Sequence, residues 1–491
     1  MREAVCLFHP PRIGHTSPMS VTRSSSKLFV VNVANAGIGF LAVTVFAREL
    51  GPAGIGAFFL FQALFRVLES GIDLGLNTAI EKRLSEGASR ETILGSGIVL
   101  KFAGFLGVVA LLLAFRGPVN SYVGEPVAGL LILTVGASQL ATIATTTLRG
   151  ELRVGETAVL FLANQVVYAL LGAVFVLGFG MGPIGLIYGV IVGSVVSFLW
   201  GIAKLDTRPA RPSMASVRSL LSYTKYNIIP ALGVQVHSWT DVLIIGLILT
   251  QADVGAYEVA WRVAAITLLF PNALGVSLLP QASAFSTSGN RERVGRLISN
   301  ALLPSVALVI PAVFGTLVFA REILGLLFGP EYAAASLVLV VLIAGKVPEA
   351  VQTVVGRVLL GIDRPDLVAR ATVVSTVLNI VLNVALIPRY GLIGAAVATT
   401  FAFTVGMVQR AWYLRTEIAY RLPVGNVLRV TAVSAVMGGV LVGVQSVVTV
   451  SDVPGLVGVV LVGVVTFVAG ILAVPTLRAL ALDYVRTYRR G

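Results

Sequence analysis

One cysteine, Cys6, stands among 491 residues. A single thiol excludes an intramolecular disulfide, a cysteine zinc site and an iron–sulfur cluster. Three histidines, His9, His15 and His237, are too few for a histidine metal site. Charge is also scarce: 12% of residues are ionised, about half the share of an ordinary soluble domain. So few charges cannot cover a soluble surface. With 56% hydrophobic residues and a mean hydropathy of +0.92, the composition is that of an all-α polytopic membrane protein. A phosphate-binding GxxxxGK[ST] loop is missing; the nearest match, AGKV (344–347), lies inside an apolar run, which argues against ATP hydrolysis. No basic patch interleaves with aromatics, so the net charge of +13 points to cytoplasmic loops rather than nucleic acid. No cofactor is expected.

The apolar runs divide into fourteen segments long enough to span a bilayer. With the N-terminus inside, twenty-eight of the 36 basic residues fall in loops and tails on that side. Only Arg48, Arg116, Arg321 and Arg389 fall on the other. A wrong span count would rarely satisfy the positive-inside rule so well, so both termini are expected in the cytoplasm. Residues 1–27 lack the apolar core of a signal peptide and read as a disordered cytoplasmic tail, with Met19 as an alternative start. Residues 28–203 hold six spans, 204–224 a basic linker, 225–415 six more, 424–475 two more, and 476–491 a basic tail. Pro271 and Pro280 predict a kink in the eighth span.

The two six-span units repeat. LGPAGIGAFFLFQALFRV (50–67) matches LTQADVGAYEVAWRVAAI (249–266) at an offset of 199, pairing Gly56 with Gly255. Gly182 and Gly185 in GMGPIGLIYGVIV (180–192) match Gly391 and Gly394 in PRYGLIGAAVATT (388–400) at an offset of 209. An even number of spans per copy makes the repeat parallel, with its pseudo-two-fold along the membrane normal. Substrate is then expected between two bundles near mid-membrane.

Four basic residues escape the loops and lie inside spans: Arg66, Lys101, Arg262 and Lys346. Glu69, Asp73, Asp241, Glu258 and Glu349 lie inside spans too. A charge in the bilayer core costs about 2.5–3.5 kcal/mol on insertion scales, so such groups persist where they face water or a partner. Glu69 and Asp73 fall within about 60° of Arg66 around a helix. Glu258–Arg262 and Lys346–Glu349 are also helical neighbours. These groups read either as substrate-facing cations with tuning partners or as neutral intrahelical pairs. Lys101 has a second reading, snorkelling to the cytoplasmic interface. Asp241 has no partner on its own helix; it reads as a coupling-ion or proton site, or as the partner of a cation elsewhere. His237, four residues earlier, is a relay candidate or a buried polar contact. Asn32, Asn35, Asn227 and Gln235 lie on the first span of each unit and are sugar-contact candidates. Asn164, Gln165, Asn379 and Asn383 read as helix–helix hydrogen bonds.

FARELGPAGIGAFFLFQA (46–63), LTQADVGAYEVAWRV (249–263) and GIDRPDLVARATVVSTVLNIVLNVALIPRYGLIGAAVATT (361–400) resemble polysaccharide-biosynthesis flippases of the Wzx type. These belong to the multidrug/oligosaccharidyl-lipid/polysaccharide exporter superfamily. The resemblance runs from about residue 24 over nearly the whole chain. It implies a V-shaped fold of two six-helix bundles with two added helices in the cell membrane. It also implies transfer of a polyprenyl-phosphate- or diphosphate-linked oligosaccharide from the inner to the outer leaflet. Arg66, Arg262, Lys346 and Lys101 would be the cavity cations. Partners would be the lipid-linked oligosaccharide, membrane lipids and glycan-assembly enzymes, with a monomer as the unit. A coupling ion, Na+ or H+, is left open. The rival readings are a cation-coupled drug exporter of the same superfamily, a membrane glycosyltransferase or polymerase, and a scaffold. An enzyme would need a sizeable extramembrane loop or an interfacial carboxylate cluster, and the basic linker is short.

Overall fold

The structure, a computed structural model, describes residues 18–87, 89–224 and 228–490. Side chains are described over 34–87, 89–224 and 238–482. Among the described residues there are helices and no strands. In chain order they are α1 (Pro18–Asp73), α2 (Leu76–Ser85), α3 (Arg90–Ala114), α4 (Arg116–Val123), α5 (Ala128–Gly150), α6 (Val154–Ala173) and α7 (Gly182–Ile202). Then come α8 (Met214–Thr224), α9 (Ile228–Ile248), α10 (Gln251–Ile266), α11 (Leu269–Thr287), α12 (Arg291–Ala307) and α13 (Val309–Phe328). The last are α14 (Ser336–Gly361), α15 (Pro365–Glu417), α16 (Val424–Val447), α17 (Val453–Ala473) and α18 (Pro475–Arg490).

Ten of the described helical stretches are long and apolar enough to cross a membrane, or eleven with the bent pair α10–α11. The expected tail over 1–27 is corrected in part, because α1 starts at Pro18. The polar run 19–27 holds no proline or glycine, so the apolar segment behind it can extend the helix backwards. The kink expected from Pro271 and Pro280 falls earlier. The 54° bend lies between Ile266 and Leu269. Pro271 sits in the first turn of α11, where a missing N–H leaves no bond unmade.

Glycine sets both large breaks. α1 breaks at Gly51 (φ 63°), just before Pro52, and α15 breaks at Gly391 (φ 56°). Only glycine takes this left-handed region without strain. Gly182, the repeat partner of Gly391, has φ 58°. The matched positions therefore share a positive φ.

Glycine also brings the two repeats together. A Cβ on Gly56 would collide with the carbonyl oxygen of Gln251. One on Gly255 would collide with the carbonyl oxygen of Pro52. At the offset of 199, Pro52 matches Gln251 and Gly56 matches Gly255, so the contact is reciprocal. Reciprocity of this kind is the mark of a two-fold relation. Around it lies one apolar core drawn from both repeats, including Phe46, Ile55, Phe58, Val254, Tyr257 and Phe328. Hydrogen bonds cross between the repeats at the same end. Arg48 donates to the carbonyls of Leu327 (2.8 Å) and Leu326 at the end of α13. Tyr332 donates to Ala47 O (3.1 Å), Tyr122 to Leu243 O (2.8 Å) and Gln251 to Val123 O (2.9 Å).

Away from this contact the apolar clusters divide. The second limb of α1 runs 22 residues beyond Gly51 to Asp73, about 33 Å. There, Leu76, Ile80, Leu84 and Leu94 form one cluster, and Leu278, Ile298, Val358 and Leu414 another. Neither draws residues from the other repeat. α16 and α17 pack on α13 through Phe319, Met437 and Leu441.

Gly56→Ala and Gly255→Ala are each expected to destabilise the protein in detergent by about 1–3 kcal/mol, the usual cost of overpacking. Gly107→Ala, at a position with nothing within reach of its Cβ, is expected to be neutral or stabilising by up to about 1 kcal/mol. Thermal unfolding midpoints check the contrast.

Candidate functional site

Two arginines, one from each repeat, meet a common cavity. Arg66 Nη1 lies 2.9 Å from Glu69 Oε2 on the next turn of α1. Ser138 of α5 donates to the other Glu69 oxygen. On α10, Arg262 Nε lies 3.4 Å from Glu258 Oε2. Its Nη2 donates across the repeats to Gln62 Oε1 at 3.3 Å, and its guanidinium sits 4.6 Å from the centre of the Phe59 ring. Gln62 is one helical turn before Arg66 on α1.

Arg262 lines a pocket of about 500 Å³ with Asn35, Phe40, Gln165 and Leu269. Arg66 lines a second pocket of about 320 Å³ with Asn164, Ser194 and Ser197. Asn35 and Gln165 belong to both walls, so the pockets adjoin. Arg66 keeps 43% and Arg262 32% of its side chain exposed. Each arginine thus has a carboxylate behind it and open space before it.

The two lysines are placed otherwise. Lys101 and Lys346 are each only 1% exposed. Lys101 donates to Gln139 Oε1 at 2.8 Å instead of reaching the interface. Lys346 lies 2.8 Å from Glu349 and 3.3 Å from the centre of the Trp261 ring, with Phe403 on another side. Aromatic faces and a carboxylate hold this cation in place of water. As cavity cations both lysines are corrected: neither lines the pockets that hold the arginines.

Two acids also depart from expectation. Asp73 is not a partner of Arg66. It ends α1, and its Oδ1 accepts the backbone N–H of Asn77 at 2.9 Å, capping the start of α2. Asp241 has no ion pair among the described residues. It accepts from Tyr257 Oη (2.7 Å), Asn383 Nδ2 (2.6 Å) and Thr399 Oγ1 (2.6 Å). The amide oxygens of Asn379 and Asn383 are buried and unpaired beside it. Asp241, Glu258, Glu349, Asn379 and Thr399 line a pocket of about 160 Å³ in the second repeat. His237, Asn32, Asn227 and Gln235 lie outside the residues whose side chains are described. Asn35, the remaining sugar-contact candidate, lines both arginine pockets.

Several contributors carry a spacing signal in the sequence. Ser138, Thr142 and Thr145 follow one another at steps of four and three, so they share a face of α5. Asn379 and Asn383 are one turn apart on α15; Asn383 donates to Asp241 and Asn379 to Thr399, itself a donor to Asp241. Gly185, Gly189 and Gly193 recur every four residues on α7, bringing it against α6 at Tyr168, Gly172 and Asn164.

Over 434 residues the chain is 42% identical to the Haloferax volcanii protein named as the probable low-salt glycan biosynthesis flippase Agl15, spanning 88% of this chain and 92% of that one. Its fold is similar to that of lipid II flippase MurJ in an inward closed conformation, with a TM-score of 0.78 at 17% identity over 91% of this chain and 98% of that one. An inward-facing multidrug resistance MATE transporter of the MOP superfamily superposes with a TM-score of 0.64 at 17% identity, over 79% of this chain and 98% of that one. Residues 45–337 match the pattern of polysaccharide biosynthesis proteins. By that match, and by the identity to a glycan biosynthesis relative over most of its length, the chain belongs to the polysaccharide biosynthesis protein family.

Proposed function

We propose that this protein is a flippase that carries a polyprenyl-phosphate- or diphosphate-linked oligosaccharide from the cytoplasmic to the outer leaflet by alternating access. The observation that carries this reading is the pair of half-exposed arginines, Arg66 and Arg262, lining adjoining pockets from helices matched by the repeat. A lipid phosphate cannot cross hydrocarbon bare. Arginine forks can hold it bidentately and stay charged throughout. Glu69 and Glu258 keep each guanidinium paired until phosphate arrives. The family and its glycan biosynthesis relative support the same substrate class.

The architecture that serves this task has fourteen crossings. The 56-residue α1 and the 53-residue α15 each exceed the ~30 Å core more than twofold, so each turns back at its glycine break. Dividing those two and adding α9 brings eleven to fourteen. The first six form one bundle and the next six the second, with α16 and α17 outside. Basic loops put both termini in the cytoplasm, in the cell membrane. The end sealed by Gly56 and Gly255 is then the outer one.

Asp241 is the coupling site in this reading. Its carboxylate, Thr399 and the two unpaired amide oxygens form an all-oxygen set suited to a hard cation or a proton. The acidic character of this pocket also suits the rival function, cation-coupled drug export.

Arg66→Ala and Arg262→Ala are each expected to lower leaflet transfer of a lipid-linked oligosaccharide in reconstituted vesicles by roughly 10- to 100-fold, the worth of a charge-assisted bond. Surface glycan should fall while protein level holds, and the lysine substitutions should be partly active. Normal glycan in both alanine variants would sink the cation reading. Dye export without glycolipid transfer would favour the rival. Separately, Asp241→Asn is expected to abolish the dependence of transfer on an imposed Na+ or proton gradient; a variant that still responds to the gradient removes Asp241 from coupling.

A further inference from the structure

The pocket that holds Arg66 is polar in an unusual way. Thr142 on α5, Asn164 and Gln165 on α6, and Ser194 and Ser197 on α7 all line it. Among the described residues none of these five side chains makes a hydrogen bond. Ser194 and Ser197 are 5% and 3% exposed. Hydroxyls buried in a helix usually bond back to a carbonyl one turn earlier. Neighbours in this bundle do so: Thr147 bonds to Ile143 O at 2.8 Å and Thr134 to Leu130 O at 2.7 Å. Thr142, Asn164 and Gln165 are only half-buried, and none of the five polar ends is sealed from the cavity; at membrane depth a polar group left without a partner is costly. The five groups are therefore held open for a guest.

Their chemistry narrows that guest. Serine, threonine, asparagine and glutamine side chains each both donate and accept. A phosphate only accepts, so it would leave the amide oxygens unmatched. A lipid tail would match none of them. The one charged lining group is Arg66, which repels a cationic drug. A hydroxyl-rich neutral sugar both donates and accepts at each carbon. Phe65 and Phe161 supply apolar surface for its C–H face. The volume, about 320 Å³, lies within the range of small-ligand pockets.

We infer that this pocket is a saccharide subsite: it takes the sugar nearest the phosphate, with Asn164, Ser194 and Ser197 reading its hydroxyls. This rests on the flippase reading and gives the substrate an orientation. Arg262, in the adjoining pocket, shares the phosphate with Arg66, and that pocket's wall of Phe40, Ile266 and Leu269 takes the first units of the lipid. Asn35 and Gln165, common to both pockets, stand at the sugar–phosphate junction.

The test compares two probes on the full-length protein in vesicles: bare polyprenyl phosphate and the same carrier bearing an oligosaccharide. The double variant Ser194→Ala/Ser197→Ala is expected to bind the bare carrier like the wild type and the glycosylated one roughly tenfold or more weakly. Arg262→Ala should weaken both. Should the double variant fail to fold, Thr142→Val, at a half-buried position, gives the same test with a smaller loss on the glycosylated probe alone. Equal loss on both probes, or no loss on either, overturns the subsite. So does a wild type that binds the two carriers equally, although the phosphate reading then survives. A wild type that binds neither probe removes the flippase reading itself.

Discussion

Everything in the cavity depends on two glycines that admit two carbonyls. Gly56 and Gly255 have no Cβ, so α1 and α10 approach until each backbone touches the other. Arg66 lies ten residues along α1 from one glycine and Arg262 seven along α10 from the other, about 15 and 10 Å at the helical rise. Close contact at one end fixes how far apart the arginines can be. A bulkier pair would splay the helices and leave each cation facing its own bundle. The same contact explains why the core is shared at this end and divided at the other.

Much of this was legible in the sequence, for physical reasons. That the chain is all helical with many apolar stretches long enough to cross a membrane follows from bilayer thickness, which acts on composition alone. The repeat was legible because Gly56/Gly255 and Gly182/Gly391 meet backbone demands that other residues meet poorly. Intrahelical pairs were legible too: Arg66–Glu69, Glu258–Arg262 and Lys346–Glu349 need only helical spacing. What lay across helices was not. Lys346 and Arg262 look alike in sequence, each beside a glutamate, yet one is boxed by Trp261 and Phe403 and the other opens on a pocket. Rotation of a helix about its axis decides that, and a single sequence holds little record of it. Asp73 was misread because the end of α1 was not placed.

The glycine contact between the repeats is reciprocal, but the chemistry around it is not. Arg66 and Arg262 both serve the polar cavities beside the first repeat, where Asn35 and Gln165 are shared. The pocket inside the second repeat is acidic, with Asp241, Glu258 and Glu349 on its wall. Glu258 joins the two, since it pairs with Arg262 and lines the acidic pocket. A change of charge at Asp241 would therefore reach Arg262 through one side chain on α10. Tyr257, which donates to Asp241, precedes Glu258 on the same helix. In the proposed cycle that would be a short physical route between a coupling ion and an anionic substrate, carried by one helix rather than by a distant relay.

The seal at the glycine end must also be reversible if this end is to open. Arg48, Gln251 and Tyr332 bond across the repeats to carbonyls in the last turn of a helical limb, and Tyr122 bonds to Leu243 O inside α9. Such bonds are worth roughly 0.5–1.5 kcal/mol each net, because water replaces them when they break. Carbonyls at helix ends are unsatisfied within the helix, so they can take water without unwinding it. The apolar contacts between α1 and α10 have no such substitute and resist separation. Opening by rotation about the glycine contact would exchange the hydrogen bonds for water and keep most of that apolar surface buried. Gliding two backbones past one another at Gly56 and Gly255 needs the absence of side chains there, so the feature that closes the gate also serves as its bearing.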